Sequence, residues 1–248
     1  MGRHVQWRWA RRLFGVAVTL AVLPSGRASI ADSEPKLYVY LPSTVRPPML
    51  QKLLSEGLPE TTVMVFRHLR DFETSIEESP PDFVISARPF VDQHQGWTTV
   101  LQGFANHHPD EACVLLSVGE AADPAVVAGI GVGVVDLLGK KAMPNFVARL
   151  LGIQSLPKLT RVAQPEDLLP LLELHLAQAV LMPSRGVPAL RQRSSLDLRA
   201  VELKEARMGL PALAAVTTKA AADDIQRKLM RLPAKTQSML GVDEWRRP

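Results

Sequence analysis

Cysteine is almost absent from the sequence: Cys113 is the only one in 248 residues. No disulfide can form within the chain, so the stability of the fold must come from packing. The apolar segment "ACVLLSV", residues 112–118, surrounds the thiol and is typical of a buried strand. We therefore expect Cys113 to be buried.

A hydrophobic run long enough to span a membrane is also missing at the amino terminus. Leu13–Pro24 is apolar but falls short of the ~20 residues that a membrane span needs. It follows a basic segment and precedes small residues at Ser29 and Ala31. This pattern predicts a secretory signal peptide over residues 1–31 and a periplasmic location. A permanent anchor is the other interpretation.

The same segment contains a pair of arginines. Arg11 and Arg12 directly precede the apolar run. Such a pair fits the twin-arginine route, which exports folded proteins, as well as the ordinary secretory route.

Beyond the predicted signal, an excess of basic charge is missing. Five of the 29 Lys and Arg residues, and none of the 25 acidic residues, lie in residues 1–31. The remainder has 24 basic and 25 acidic residues, whereas a nucleic-acid-binding domain usually shows a basic patch or stripe. We expect no nucleic-acid partner.

Motifs of catalysis and cofactor binding are missing too. The sequence contains no G-x-S-x-G elbow, no H-E-x-x-H and no P-loop. Gly129, Gly131 and Gly133 alternate before and within an apolar run, whereas a dinucleotide fingerprint needs them in a strand-to-helix turn. We expect a protein that is not an enzyme and has no cofactor.

Potential metal ligands are present, but their spacing is irregular. His94, His107, His108, Asp110 and Glu111 lie in one polar stretch. Adjacent histidines in an extended chain point apart, and metal sites usually have ligands at fixed helical or turn spacing. A solvated loop is the favoured interpretation, and a metal cluster is the alternative.

What the sequence does contain is an alternation of strand-like and helix-like segments. Apolar, near-continuous strands separated by helices indicate a parallel sheet covered on both faces. The strand-like segments are 36–41, 61–66, 82–87, 112–118, 130–137, 158–162, 179–182, 198–203 and 209–216. The helix-like segments are 47–56, 70–78, 144–151, 165–176, 187–193 and 218–240, the last broken at Pro233.

The order of these segments repeats, which predicts an α/β fold of two similar three-layer lobes with mostly parallel sheets and a two-strand hinge. Residues 32–118 and 209–248 would form lobe one, and residues 119–208 would form lobe two.

The candidate ligand site follows from this architecture. In open parallel sheets, ligands bind beyond the carboxyl ends of the strands, where helix N-termini attract anions. The residues expected there are Ser43, Thr44, Ser86 and Arg88 in lobe one, with Gly139 and Ser184 in lobe two. Taken singly, Ser43 and Thr44 fit a helix N-cap, and Arg88 fits surface charge.

Two longer segments carry a resemblance to a known family. Residues 126–152, "VVAGIGVGVVDLLGKKAMPNFVARLLG", and the pattern "PEDLLPLL…QAVLMP" follow the strand order given above. In this order the chain resembles a type II periplasmic binding protein. It is similar to the branch that contains phosphonate- and sulfonate-binding components of ABC transporters.

The resemblance implies two lobes that close on a small ligand, here an anion of the phosphate, phosphonate or sulfonate kind, in a monomeric protein. A membrane permease would be its partner. The alternative is a scaffold whose ligand site has diverged and which acts as the periplasmic protein partner of a respiratory or redox complex.

Overall fold

The computed structural model describes residues 34–217 and 222–248. The predicted signal peptide, residues 1–31, lies outside the described residues. In chain order the strands are β1 (Lys36–Tyr40), β2 (Thr62–Phe66), β3 (Phe83–Ala87), β4 (Thr98–Phe104), β5 (Asp110–Val118), β6 (Val132–Val135), β7 (Leu159–Val162), β8 (Ala179–Pro183), β9 (Leu198–Gly209), β10 (Pro211–Ala215) and β11 (Glu244–Arg246).

The helices connect these strands. They are α1 (Pro47–Gly57), α2 (Leu69–Glu78), α3 (Arg88–Val91), α4 (Pro124–Ile130), α5 (Gly139–Leu151), α6 (Leu168–Glu173), α7 (Val187–Gln192), α8 (Ala222–Met230) and α9 (Ala234–Met239). Short 3-10 turns at Pro165–Asp167 and Ser184–Gly186 precede α6 and α7. No helix of the described ranges is long and apolar enough to cross a membrane.

The strands form two sheets, which confirms the predicted α/β architecture. The first sheet has the order β11-β4-β10-β3-β1-β2, and the second has the order β7-β6-β8-β5-β9. The chain passes from the first to the second between β4 and β5, and it returns between β9 and β10. These two crossings are the two-strand hinge that the sequence predicts.

Both sheets are mixed rather than mostly parallel. In the first sheet, β1 pairs in parallel with β2 and β3, while β10 runs antiparallel to β3 and β4. In the second sheet, β6 pairs in parallel with β7 and β8, while β5 runs antiparallel to β8 and β9. Every antiparallel pair, including that of β11 with β4, contains a strand that flanks one of the two crossings, where the chain changes sheets without a helical crossover.

Some local predictions differ from the structure. The sequence places residues 112–118 in lobe one, but β5 pairs with β8 and β9 of the second sheet. Two elements fall mainly where the sequence predicts neither strand nor helix: β4 lies between the predicted strands 82–87 and 112–118, and α4 begins between 112–118 and 130–137. Asp123 begins α4 by accepting hydrogen bonds from the N–H groups of Ala125 and Val126, and Pro124 fits its first turn.

One apolar cluster extends from the first sheet into the second. It includes Tyr40 and Phe72 from the β1 and α2 side, and Leu138, Met143 and Phe146 from the α5 side. Tyr40 and Phe72 stack with ring centroids 5.4 Å apart. The burial of aromatic and aliphatic side chains in one cluster stabilises the position of one sheet relative to the other.

Candidate functional site

A cavity of about 570 Å³ lies between the two sheets. The ends of β1 and β3 border it through Leu41 and Ala87, and the ends of β6 and β8 border it through Val135 and Pro183. The cavity is thus at the carboxyl ends of parallel strands of both sheets, where ligand sites of open α/β sheets occur. Its volume is within the range of ~300–1,000 Å³ that small-molecule sites occupy.

The cavity wall is mainly apolar. Two thirds of the lining residues are aliphatic, aromatic, methionine or proline residues, with Met143, Phe146, Leu168, Leu181 and Leu190 on the side of the second sheet. The polar residues of the wall are Ser43, Thr44, Asn106, Glu111, Glu166, Arg185, Arg193, Ser238 and Asp243. A few polar groups in an apolar wall are typical of a site for an organic molecule.

Of the six residues expected in the site, Ser43 and Thr44 line the cavity. They do not cap α1, because Arg46 is the N-cap residue and no side chain caps the helix. The Ser43 hydroxyl instead accepts the N–H of Val45 at 3.1 Å. This bond forms a local turn between β1 and α1.

Helix α1 has little capacity to bind an anion at its N-terminus. Its first two residues, Pro47 and Pro48, have no N–H. The N–H groups of Met49 and Leu50 both point to the Arg46 carbonyl, at 3.0 and 3.2 Å. The donors that normally make a helix N-terminus an anion site are therefore missing or already used.

In the second sheet the corresponding helix N-terminus holds a carboxylate of the chain itself. The N–H of Gly139 donates to Asp136 Oδ1 at 2.8 Å, and Arg161 pairs with the same side chain. Gly139 has a φ of 76° and lies against Leu69 and Glu73 rather than in the cavity wall. Asp136 thus occupies the position at which we expected a ligand anion.

Ser86 and Arg88 are also held by contacts within the protein. Ser86 is buried, and its hydroxyl donates to the carbonyl of Tyr40 at 2.9 Å. The Arg88 guanidinium contacts Asp92 at 2.6 Å and donates to Gln102 Oε1 at 3.0 Å. Neither residue lies in the cavity wall, and contact of either with a ligand stays a prediction.

The side chain of Arg88 is directed toward the two crossings by its hydrogen bond to Gln102. Gln102 is buried, and its amide nitrogen contacts the carbonyls of Pro109 and Leu210, one on each crossing, at 3.4 and 3.3 Å. Arg88 orients that amide through its oxygen. Arg88 and Gln102 therefore connect the two crossings to the first sheet.

Arg185 directly follows Ser184 in the loop after β8, which the sequence favours as a candidate ligand loop, but it is not among the six residues expected in the site. The cavity wall includes Arg185 but not Ser184. Arg185 pairs with Glu111 at 2.9 Å and donates to the carbonyl of Gly241 at 2.6 Å. Burial raises the pKa of Glu111, and Arg185 partly opposes that shift. The reach of Arg185 across the cavity to the segment after α9 depends on tertiary structure.

Direct hydrogen bonds connect the two sheets at the edge of the cavity. The Tyr40 hydroxyl donates to the carbonyl of Asp136 at 2.8 Å, and Gln164 Nε2 donates to the carbonyl of Arg67 at 2.9 Å. Burial raises the pKa of Tyr40, and the carboxylates of Asp136 and Glu73 add to the shift. The phenol therefore stays a donor at physiological pH.

Metal coordination finds no support in the described parts of the chain, where no group of three or more His, Cys, Asp or Glu side chains is arranged to hold an ion. His94 instead stacks on Trp97 with ring centroids 3.9 Å apart. His107 lies on the surface beside Glu244, at 3.5 Å.

Known proteins resemble the chain in fold but not in sequence. No protein-family model and no curated protein matches it. A binding protein component of an ABC phosphonate transporter from Pseudomonas aeruginosa aligns with a TM-score of 0.60 and 9% identity, covering 87% of this chain and 82% of that one.

Two further solved structures show the same arrangement. The BvgS VFT2 domain of Bordetella pertussis, as a double mutant, aligns with a TM-score of 0.57 and 13% identity over 84% of this chain and 91% of that domain. The GluR0 ligand-binding core from Nostoc punctiforme, in complex with L-glutamate, gives 0.57 and 11% over 83% and 96%. The protein has the fold of the type II periplasmic binding proteins.

Proposed function

We propose that the protein is an exported solute-binding protein that holds a small molecule in the cavity between its two sheets. The observation that carries the proposal is the position of the cavity at the carboxyl ends of β1, β3, β6 and β8. Strand ends and loops from both sheets enclose one space there, as in sites between two lobes. The predicted signal peptide supports a periplasmic location.

Delivery to an ABC transporter is the physiological role that the sequence resemblance favours. One protein of similar fold is a binding component of an ABC phosphonate transporter. In this role the two lobes would close on the ligand and present it to a membrane permease. The sequence favours an anionic ligand, which Ser43 and Thr44 would contact through their hydroxyls.

The second candidate function is an accessory protein that binds a periplasmic protein partner in place of a transported solute. It is favoured by the contacts within the chain of groups that could bind an anion: the Gly139 N–H with Asp136, Arg88 with Asp92, and Arg185 with Glu111. A scaffold that has lost its ancestral anion could keep this fold for protein recognition.

The two candidates differ in whether the cavity binds a small molecule. Ala189 is an exposed residue of α7 in the cavity wall, so Ala189→Trp should fill the cavity without disturbing the core. Ala125→Trp, on the exposed surface of α4 and outside the wall, is the matched control.

The experiment is thermal unfolding of the purified protein and both variants with a panel of small molecules. The panel contains phosphate, sulfate, methylphosphonate, methanesulfonate and the uncharged aromatic N-phenyl-1-naphthylamine. A ligand at ~100 times its Kd adds about 2.7 kcal/mol to the free energy of unfolding, which raises Tm measurably. The proposal expects a rise in wild type and Ala125→Trp that Ala189→Trp loses. A flat response to the whole panel, together with a stable periplasmic partner, would favour the accessory role.

A further inference from the structure

We propose that the ligand of the cavity is a predominantly apolar, uncharged molecule rather than a compact anion. This inference rests on the proposed function, because it names the chemical class that the same cavity accepts. Three independent properties of the site support it: the composition of the wall, the state of the helix N-termini and the balance of charges.

The composition of the cavity wall favours a ligand that is mostly apolar. The wall includes Val134, Phe146, Leu168 and Leu181, all of which are at least nine-tenths buried. A compact oxyanion would fill little of the roughly 570 Å³ and would lose its hydration without gaining apolar contacts. A molecule with a ring system or a medium-length chain removes this apolar surface from water, which is the main source of binding energy in such a site.

The helix N-termini disfavour an anion. An oxyanion in an open α/β sheet is usually held by free N–H groups at the first turn of a helix. Pro47 and Pro48 remove two of these groups from α1, and the carboxylate of Asp136 occupies the N-terminus of α5. The first turn of α1 thus has no free N–H group, and the first N–H of α5 is used by a carboxylate of the chain itself.

The charges of the wall point in the same direction. Arg185 and Glu111 neutralise each other at 2.9 Å. Of the remaining charged residues of the wall, Glu166 and Asp243 are acidic and Arg193 is basic. An anionic ligand would thus meet more carboxylates than unpaired cations, and its transfer from water would be unfavourable.

Two fluorescent probes isolate the effect of a negative charge on the affinity of a ligand for the cavity. N-phenyl-1-naphthylamine and 1-anilinonaphthalene-8-sulfonate share one ring system and differ by the sulfonate. Both become brighter in apolar surroundings, so the Kd of each can be measured by titration. The titrations use wild type, Ala189→Trp and Ala125→Trp, and the bound probe is then challenged with phosphate and methylphosphonate.

We expect the uncharged probe to bind wild type with one site and at least tenfold more tightly than the sulfonate. Ala189→Trp should weaken it at least tenfold, and Ala125→Trp should leave it unchanged. Phosphate and methylphosphonate should displace none of it. Equal or tighter binding of the sulfonate in the same cavity would overturn the inference.

The outcomes also separate this inference from the function on which it rests. If methylphosphonate or phosphate raises Tm and the rise is lost in Ala189→Trp, the solute-binding function stands and the apolar ligand class is wrong. If neither probe nor any panel compound binds in a way that depends on position 189, both the function and the ligand class are contradicted.

Discussion

The hydroxyl of Tyr40 donates a hydrogen bond to the backbone carbonyl of Asp136, 2.8 Å away. Tyr40 is the last residue of β1, and Asp136 directly follows β6, so the bond joins the carboxyl ends of strands in different sheets. Tyr40 is only 2% exposed. The hydroxyl belongs to a buried side chain and the bond is partly shielded from water, so this contact helps to hold the two strand ends together at the cavity edge.

Tyr40→Phe should lower the free energy of unfolding by about 0.5–1.5 kcal/mol, because the ring packing stays and one partly buried hydrogen bond is lost. Equilibrium unfolding in urea measures the difference. Tyr38→Phe is the matched control, since Tyr38 is also a buried tyrosine of β1 and its hydroxyl makes no hydrogen bond with the described residues. Equal effects of the two substitutions would show that the bond to Asp136 contributes nothing.

Alanine substitutions at two glycines of the segment "GIGVG", residues 129–133, should change the stability of the protein in different directions. A Cβ at Gly133 would lie 2.7 Å from Leu171 Cδ1 and 2.8 Å from Val180 Cγ1. Gly133→Ala is therefore expected to destabilise the protein by about 1–3 kcal/mol through overpacking.

Gly129 provides the comparison within the same segment. It lies in α4, and a Cβ there would meet nothing within 4 Å. Gly129→Ala should leave stability unchanged or raise it by up to about 1 kcal/mol, because alanine favours the helix. Thermal unfolding of both variants tests the packing of β6. A Gly133→Ala protein as stable as wild type would argue against the close approach of α6 and β8.

Cys113 should be unreactive in the native protein. It is fully buried in β5, and burial raises the pKa of its thiol to about 12, with a further contribution from the Glu111 carboxylate. At pH 8 the thiolate fraction, and with it alkylation by iodoacetamide, should be lower by about three orders of magnitude than in the urea-unfolded chain. Because the sequence has no other cysteine, the measured rate reports this site alone. Rapid alkylation under native conditions would contradict the burial of β5.

Glu111 should make stability depend on pH. Its folded-state pKa is raised by burial, so the folded protein holds the proton more tightly than the unfolded chain does. The resulting stabilisation is fully present below the ordinary glutamate pKa of about 4.3 and is lost as pH rises through the folded-state pKa.

Glu111→Gln removes this titration. The stability of wild type relative to the variant should therefore fall as pH rises above about 4.3, as measured by urea unfolding at several pH values. Glu202→Gln, an exposed substitution on the neighbouring β9, controls for the loss of one negative charge. A wild-type curve parallel to that of Glu111→Gln would show that Glu111 titrates alike in both states.

Much of the fold follows from local sequence signals. Apolar runs such as 82–87 and 179–182 predict β3 and β8 because strands buried on both faces need side chains that tolerate the interior. Strand β4 was not predictable in this way. Its segment, "TTVLQGF", contains Gln102, which contacts a carbonyl on each crossing, and Gly103, where a Cβ would clash with Val242 and the Pro211 carbonyl.

The candidate site was predictable in position but not in chemistry. The ends of parallel strands place the site near Ser43, and that rule needs only the order of the elements. The contacts made around the predicted site residues depend partly on distant partners: Arg88 contacts Gln102, and Asp136, which accepts the nearby N–H of Gly139, also pairs with Arg161. The contact between Arg185 and Gly241 joins residues 56 positions apart in the chain. No local pattern encodes such contacts.

Whether the cavity holds an apolar ligand is tested most directly by a crystal structure of the protein with N-phenyl-1-naphthylamine. We expect one molecule between the two sheets, with its rings against Phe146 and Leu190 and near Ser43. A probe bound only on the outer surface, with the cavity filled by ordered water or by a phosphate ion, would contradict it.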